Sequence, residues 1–136
     1  MPVKITKKPE FNIIILEHIG KIPDSEFLSF YKSFFESSNF NPSSNLLVNL
    51  VKTDSTIRSS EAVYQLANYF RQKYKDTDAH PKIAVIAPKD VSFGLARTYE
   101  AFTDSIPGEF VVFRDETAAM AWMGIPDNYE KNPINP

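Results

Sequence analysis

The sequence predicts an α/β fold in which about five strands form one mixed sheet and about four helices lie mainly on one face of it. Short β-branched runs alternate along the chain with longer segments whose apolar residues recur at helical spacing. Near the end, strand, polar loop and helix follow one another repeatedly, which predicts parallel strands with right-handed crossovers. The 136 residues suit one domain, placed at 1–124 and followed by a flexible tail at 125–136.

The first half of the chain predicts two strands, a helix and a third strand. Residues 3–8 alternate apolar and polar, and residues 11–19 are dense in isoleucine, which predicts a strand buried on both faces before a break at 20–24. Residues 25–37 predict an amphipathic helix, and residues 46–51 a short apolar strand. We interpret the aromatic stripe of the helix as core, with a lipid-binding or partner-binding face as the alternative. The stripe consists of Phe27, Leu28, Phe30, Tyr31, Phe34 and Phe35.

The second half predicts three further helices and two further strands. They are a helix from Ser59 or Ser60 to Tyr74, a strand at 82–87, a helix at 91–104, a strand at 110–113 and a helix at 116–123. Asp90 and Asp115 precede the last two helices and are predicted to cap them. Gly94 interrupts the helix at 91–104, which indicates close packing of that helix on the sheet. Its predicted buried face consists of Val91, Leu95, Tyr99 and Phe102.

Composition and missing motifs exclude several classes of function. A net charge of −2 gives no basic field for nucleic acid, and the absence of cysteine excludes thiol chemistry. No dinucleotide, phosphate-loop or hydrolase motif is present, so we expect no cofactor. His18 and His80 stand alone, which argues against a metal site. The longest apolar run, 13–16, is too short to span a bilayer and no signal peptide is visible, so we expect a cytoplasmic protein.

Polar residues gather where the predicted parallel strands end. The segments 52–60, 88–90 and 114–116 should meet at the carboxyl edge of the sheet, where ligands bind in open α/β sheets. An enzyme would need an acid–base cluster there, for which the candidates are Asp54, Ser55, Ser59, Lys89 and Asp90. The sequence defines no nucleophile–base pair among them, so a non-enzymatic function is preferred. Helix capping is the alternative role for Asp90.

Three stretches of the chain resemble a known family. The segment LLVNLVKTDSTIRSSEAVYQLANYF, at 46–70, is similar to the strand–loop–helix unit of STAS domains, the anti-sigma-factor-antagonist family. The segments KIAVIAPKDVSFGLARTYEAF, at 82–102, and FVVFRDETAAMAWMG, at 110–124, resemble its SpoIIAA-like branch, which is also related to CRAL-TRIO lipid-binding domains. The resemblance covers roughly residues 3–124 and rests on element order and short patterns.

The resemblance implies a five-stranded sheet and no enzymatic activity. In regulatory STAS proteins a serine at the start of the second helix accepts a phosphoryl group, and Ser59 and Ser60 occupy that position here. This chain has Arg58-Ser59-Ser60-Glu61 where the regulatory proteins have Asp-Ser-Ser-Gly. Two roles therefore stay open for these serines: phosphoacceptor, or helix N-cap only.

These observations favour an interaction or regulatory module that binds a protein partner or a second copy of itself. Tyr64 and Phe93 fall on the polar sides of their helices, near the same sheet edge, and are candidate contact residues. Asp54, Ser59, Ser60, Lys89 and Asp90 complete the predicted binding site. The alternative is a carrier of a small apolar ligand such as a fatty acid, which the aromatic helix and the CRAL-TRIO kinship motivate.

Overall fold

Five strands form one sheet in the order β1-β2-β3-β4-β5, and four α-helices pack on it. The structure is a computed structural model, and it describes residues 2–102 and 106–126. The elements are β1 (Val3–Lys8), a short 3-10 turn (Pro9–Phe11), β2 (Ile13–Lys21), α1 (Asp24–Glu36), β3 (Asn45–Asp54), α2 (Ser60–Tyr74), β4 (Lys82–Ile86), α3 (Asp90–Ala101), β5 (Glu109–Phe113) and α4 (Glu116–Met123).

The sheet is mixed, as the sequence predicted. β1 runs antiparallel to β2, whereas β2, β3, β4 and β5 run parallel to one another. Three helices, α1, α2 and α3, share one hydrophobic core with the first face of the sheet, and α4 packs on the second face. The predicted α/β class, the five strands and the placement of the helices mainly on one face are confirmed.

Burial explains why α1 and α2 form where the spacing of apolar residues predicted them. In α1 the residues Phe27, Tyr31, Phe34 and Phe35 are buried, so the core interpretation of its aromatic stripe is confirmed. Successive rings pack edge to face or tilted against one another and extend the core into α2, where Phe35 meets Phe70 with centroids 4.7 Å apart. The predicted apolar side of α2 is buried in full: Ala62, Val63, Leu66, Ala67, Phe70 and Tyr74.

Two strands extend beyond their predicted ends. β2 continues through Gly20 to Lys21, and β3 continues to Asp54, because these polar residues pair with each other in the parallel ladder. Thr53 is buried there and its hydroxyl donates a hydrogen bond to the Gly20 carbonyl, at 2.7 Å. The predicted break at 20–24 and the predicted connector at 52–60 are therefore wrong at their first residues, 20–21 and 52–54, which belong to the strands. Local composition indicated a loop, whereas strand pairing decided the structure.

α3 differs from its prediction in its first residue and in its buried side. It begins at Asp90, and its N-cap is Lys89, so Asp90 does not cap the helix. Its buried side consists of Ser92, Ala96 and Tyr99, because the small side chains of the first two allow the helix to approach the sheet. Of the predicted apolar face, Tyr99 is buried and Leu95 and Phe102 pack half-buried against the core, whereas Val91 is exposed. Gly94 is exposed with nothing within 4 Å of an added Cβ. Close packing does not explain that glycine. The predicted helix ended at 104, and its residues 103 and 104 lie outside the described residues.

α4 begins and ends as predicted. Asp115 caps it, since its carboxylate accepts hydrogen bonds from the amides of Thr117 and Ala118, both at 3.3 Å. Ile125, the first residue of the predicted tail, is buried against the α4 core, and residues 127–136 lie outside the described part of the chain. Within the described ranges, no helix is both long and apolar enough to cross a membrane.

Candidate functional site

The predicted site residues lie around the edge of the sheet where the parallel strands end. β2, β3, β4 and β5 all finish there, and each is followed by a helix whose N-terminus begins at the same edge. We call this region the carboxyl edge. Helix N-termini present unpaired N–H groups and a positive partial charge, so the edge is suited to polar and anionic contacts.

Asp54 stabilises the turn that follows β3. Its Oδ1 accepts hydrogen bonds from the amide of Thr56, at 2.9 Å, and from the Thr56 hydroxyl, at 2.7 Å. These bonds lower the pKa of the Asp54 carboxyl, and the positive charges of Lys21 and Lys89 lower it further. The side chain therefore stays ionised and acts as a turn cap at the rim of the edge.

Ser59 and Ser60 begin α2 and are both exposed. Ser59 is the N-cap residue, and its Oγ accepts a hydrogen bond from the amide of Ala62, at 3.1 Å. The amide of Ser59 donates to Oδ1 of Asp24, at 3.3 Å. The capping role is therefore present, and exposure leaves both hydroxyls accessible from solvent.

A partly buried ion pair joins the starts of α1 and α2, in which the Asp24 side chain is 34% exposed. The Arg58 side chain is only 7% exposed, and its Nη1 lies 2.7 Å from Oδ1 of Asp24. Nη2 donates to the carbonyl of Ile22, at 2.8 Å, and the guanidinium lies 3.8 Å from the ring centroid of Phe27. Partial burial raises the pKa of Asp24, but hydrogen bonds from Ser59 and Arg58 outweigh it, and the net pKa is lowered. Asp24 thus compensates the charge of Arg58.

His18 lies beneath this ion pair, inside the protein. The register of β2 against β3 shifts between Glu17 and Ile19, so His18 stands at a β-bulge, a feature that often redirects a side chain. Its Nε2 lies 2.8 Å from the hydroxyl of Tyr31 on α1. Burial, helped by the charge of Arg58, lowers the pKa of His18 to about 3. The ring is therefore neutral near pH 7.

A cavity of about 80 Å³ lies between the sheet and the three helices, and His18 and Arg58 are among the residues that line it. Its walls are mostly apolar. The Tyr99 side chain lines it, and the buried hydroxyl of Tyr99 has no hydrogen-bond partner among the residues that the structure describes. An engineered protein cavity of about 150 Å³ holds one benzene molecule. The cavity therefore has room for ordered water or a very small ligand, but not for a long acyl chain in this conformation.

Apolar side chains of α2 and α3 form a partly exposed surface, in which Leu95 and Phe102 are half-buried against the core. Val91, Leu95 and Phe102 follow one side of α3 at helical spacing, and the ring of Phe102 packs edge-on against Tyr64 of α2, with centroids 5.3 Å apart. Tyr64 is 43% exposed and Val91 is 47% exposed. We call these four residues the α2–α3 groove. Val91 was predicted to be core, and it lies at the surface instead.

Phe93 lies on the opposite side of α3 from Val91. The guanidinium carbon of Arg114 lies 4.2 Å from its ring centroid, and Nη1 of Arg114 is 2.8 Å from Oδ1 of Asp90. Nζ of Lys89 donates to the carbonyl of Thr53, at 3.4 Å. Tyr64 and Phe93 therefore have different neighbours, and the structure does not bring these two aromatics into one patch.

The candidate acid–base residues do not form a catalytic arrangement. Asp54 bonds Thr56, Lys89 bonds the backbone of β3, and Asp90 pairs with Arg114, so each charged side chain is engaged with a residue outside the candidate set. Across residues 2–102 and 106–126, no three His, Asp or Glu side chains come together in a way that could hold a metal ion. Asp54 stabilises a turn, and Lys89 and Asp90 join the start of α3 to β3 and to the end of β5.

Comparison with known proteins identifies the fold. No protein-family model matches the chain, and no curated protein matches it. A solved structure from Shewanella loihica PV-4, an uncharacterized protein of the DUF3478 family with a SpoIIAA-like fold, superposes on it with a TM-score of 0.55. The superposition covers 89% of this chain and 91% of that one, at 17% sequence identity. This chain therefore has a SpoIIAA-like fold, as the resemblance implied.

Proposed function

We propose that this protein is a non-enzymatic interaction module of the STAS type, which binds a protein partner at its carboxyl edge in the cytoplasm. The observation that carries the proposal is the α2–α3 groove, a partly exposed apolar strip beside the accessible serines at the start of α2. The SpoIIAA-like fold supports the same function. Asp54, Lys89 and Asp90 supply a charged rim, and Phe93 with Arg114 extends it toward β5.

A protein is the occupant that fits this groove best. Tyr64 and Val91 each leave more than two fifths of their surface in water, on helices that are otherwise buried on one side. Aromatic side chains are enriched at protein interfaces, and a charged rim around an apolar strip is the usual anatomy of such surfaces. A shallow apolar surface on two helices suits the surface of a protein partner better than a small molecule, because small molecules bind in concave pockets.

Phosphorylation of Ser59 or Ser60 would regulate this surface. A phosphoryl group adds close to two negative charges at the N-terminus of the 15-residue helix α2, where free N–H groups favour an anion. It would also stand beside the Asp24–Arg58 pair and compete with Asp24 for the guanidinium. The start of α1 and the start of α2 would then be joined differently, which changes the surface that a partner meets.

Capture of the partner by groove variants tests the proposal. We expect the double variant Tyr64→Ser, Val91→Ser to lower recovery of the native partner by about tenfold or more, since buried aromatic contacts dominate binding energies. Ile19→Ser, Val51→Ser is the matched control, because Ile19 is 42% exposed and Val51 is 37% exposed on β2 and β3 rather than on α2 or α3. Both variants are measured by quantitative mass spectrometry after affinity capture. Equal recovery by the two variants would contradict the groove assignment.

Binding of a small ligand in the internal cavity is the second candidate function. The unpartnered Tyr99 hydroxyl and the neutral His18 ring favour an uncharged, mostly apolar molecule with one hydrogen-bonding group. The charge of Arg58 is already compensated by Asp24, which argues against a free fatty-acid carboxylate.

Mass spectrometry of the protein purified from its own cells distinguishes the regulatory and carrier functions. Denatured spectra are expected to show a phosphoryl adduct that fragmentation maps to Ser59 or Ser60. A mass that is present in the native spectrum and lost on denaturation would favour the carrier function and identify the ligand. A bare chain in both spectra, from cells grown under several conditions, would contradict both the phosphorylation and the carrier.

A further inference from the structure

The two edges of the sheet differ in charge. β1 carries three lysines among its six residues, Lys4, Lys7 and Lys8. β5 has no charged residue between Phe110 and Phe113. Charged side chains, lysine above all, prevent an edge strand from pairing with another chain, and β1 therefore has the protection that β5 lacks.

The backbone of β5 has a defined set of outward-facing groups. The amide of Glu109 donates to the carbonyl of Pro81, at 2.9 Å, and the amide of Ala87 donates to the carbonyl of Phe113, at 2.8 Å. Because bonding alternates along a strand, residues 109, 111 and 113 face β4. The N–H and C=O groups of Phe110 and Val112 consequently point away from the sheet.

The side chains of β5 are only half-buried on both faces of the sheet. Phe110 and Val112 pack against the three-helix core, and Phe113 packs against the α4 core, yet each remains partly exposed at the rim. An added strand would cover these rims on both faces at once, which buries apolar surface in addition to forming hydrogen bonds.

We propose that β5 pairs antiparallel with β5 of a second copy of this chain, with the twofold axis passing at Val111. Phe110 of each copy then stands opposite Val112 of the other as a hydrogen-bonded pair, which makes four backbone hydrogen bonds in two equivalent sets. Because Phe110 and Val112 are two positions apart, a single twofold rotation pairs the outward-facing N–H and C=O groups of both residues in both copies. The pairing joins two five-stranded sheets into one.

Cross-strand side-chain pairing favours this second copy and this orientation. Phe110 and Val112 both face the three-helix core, so the antiparallel register places an aromatic ring beside a β-branched side chain twice, at symmetric positions. Parallel pairing of two copies would instead bring the two Glu109 side chains together. A heterologous strand would have to supply an aromatic and a β-branched residue at the same spacing.

Sedimentation equilibrium of the full chain tests the proposal. We expect a dimer whose dissociation constant rises by about 30-fold in Val112→Pro, because proline removes one N–H from each copy and two of the four hydrogen bonds are lost. Lys7→Pro is the matched control, since the ladder places the Lys7 amide at the outer side of β1. We expect that variant to remain dimeric. A monomer at all concentrations, or equal dissociation in both variants, would overturn the proposal.

Hydrogen exchange followed by NMR supplies a second test that needs no variant. The amides of Phe110 and Val112 are expected to be protected in the dimer and to exchange faster as dilution dissociates it. Fast exchange of both amides in a sample that sedimentation shows to be dimeric would also overturn the proposal, because the copies would then meet elsewhere.

Discussion

Replacement of Asp24 by alanine is expected to destabilise the protein by about 2 kcal/mol, between the values for surface and buried pairs, because Arg58 is buried whereas the Asp24 side chain is 34% exposed. Arg58 is buried and its guanidinium lies between Asp24, the carbonyl of Ile22 and the ring of Phe27. Without Asp24 its charge loses the carboxylate that compensates it, and the amide of Ser59 loses its acceptor as well. The free energy of unfolding from urea titration at pH 7 measures the effect.

A matched control separates this partly buried pair from an ordinary surface ion pair. Nζ of Lys52 lies 3.5 Å from Glu17, with the lysine side chain 65% exposed. Lys52→Ala should change the free energy of unfolding by no more than about 0.5 kcal/mol. The double variant Asp24→Ala, Arg58→Met should be more stable than Asp24→Ala alone, because it removes the uncompensated charge. A loss below about 1 kcal/mol in Asp24→Ala would contradict the role given to the pair.

Acidification is expected to destabilise the protein through His18, by about 1.4 kcal/mol for each pH unit below about 6.5. The pKa of His18 in the folded protein is lowered to about 3 from its ordinary value of 6.5. The unfolded chain therefore takes up this proton first. The contribution of His18 to the free energy of unfolding is fully present above pH 6.5. It falls as the pH approaches 3, because the unfolded chain binds the proton more tightly than the folded protein does.

Comparison with His18→Gln isolates this contribution. Glutamine is uncharged at every pH and can still form a hydrogen bond with Tyr31. Urea unfolding between pH 6.5 and 4.5 should show a steeper loss of stability in the natural protein than in the variant. Asp24 and Asp54, whose pKa values are lowered in the folded protein, begin to contribute at the low end of this window, but both proteins share that contribution and it cancels in the comparison. Parallel slopes for the two proteins would show that His18 is not buried in its neutral form.

Local sequence predicted the elements of the fold well where one short segment determines the outcome. The isoleucines of β2, the aromatic spacing of α1 and the apolar side of α2 each define a buried face without help from distant residues. The ends of β2 and β3 were missed because polar residues became strand only by pairing with each other. In α3 the burial of Ser92 and Ala96 and the exposure of Val91 were missed, because small side chains carry little weight in an apolar pattern.

The contacts of the candidate site also divide into those that a short segment predicts and those that join distant segments. Ser59 was predicted as a possible N-cap because capping depends on residues only three positions apart. The Asp24–Arg58 pair joins residues 34 positions apart, and the His18–Tyr31 contact joins residues 13 apart. No local pattern indicates such partners. The signals that existed were a lone histidine in an apolar strand and an arginine directly before a helix cap, which together suggest buried polar contacts.

A photoreactive amino acid at position 64 tests the central claim, that a protein partner binds at the α2–α3 groove. Benzoylphenylalanine in place of Tyr64 keeps an aromatic side chain that is already 43% exposed, and the same group in place of Ile19 serves as the control on β2. After irradiation in the native cells, we predict a covalent adduct with one protein partner from position 64 and none from position 19. No adduct from position 64, or the same adducts from both positions, would contradict the claim.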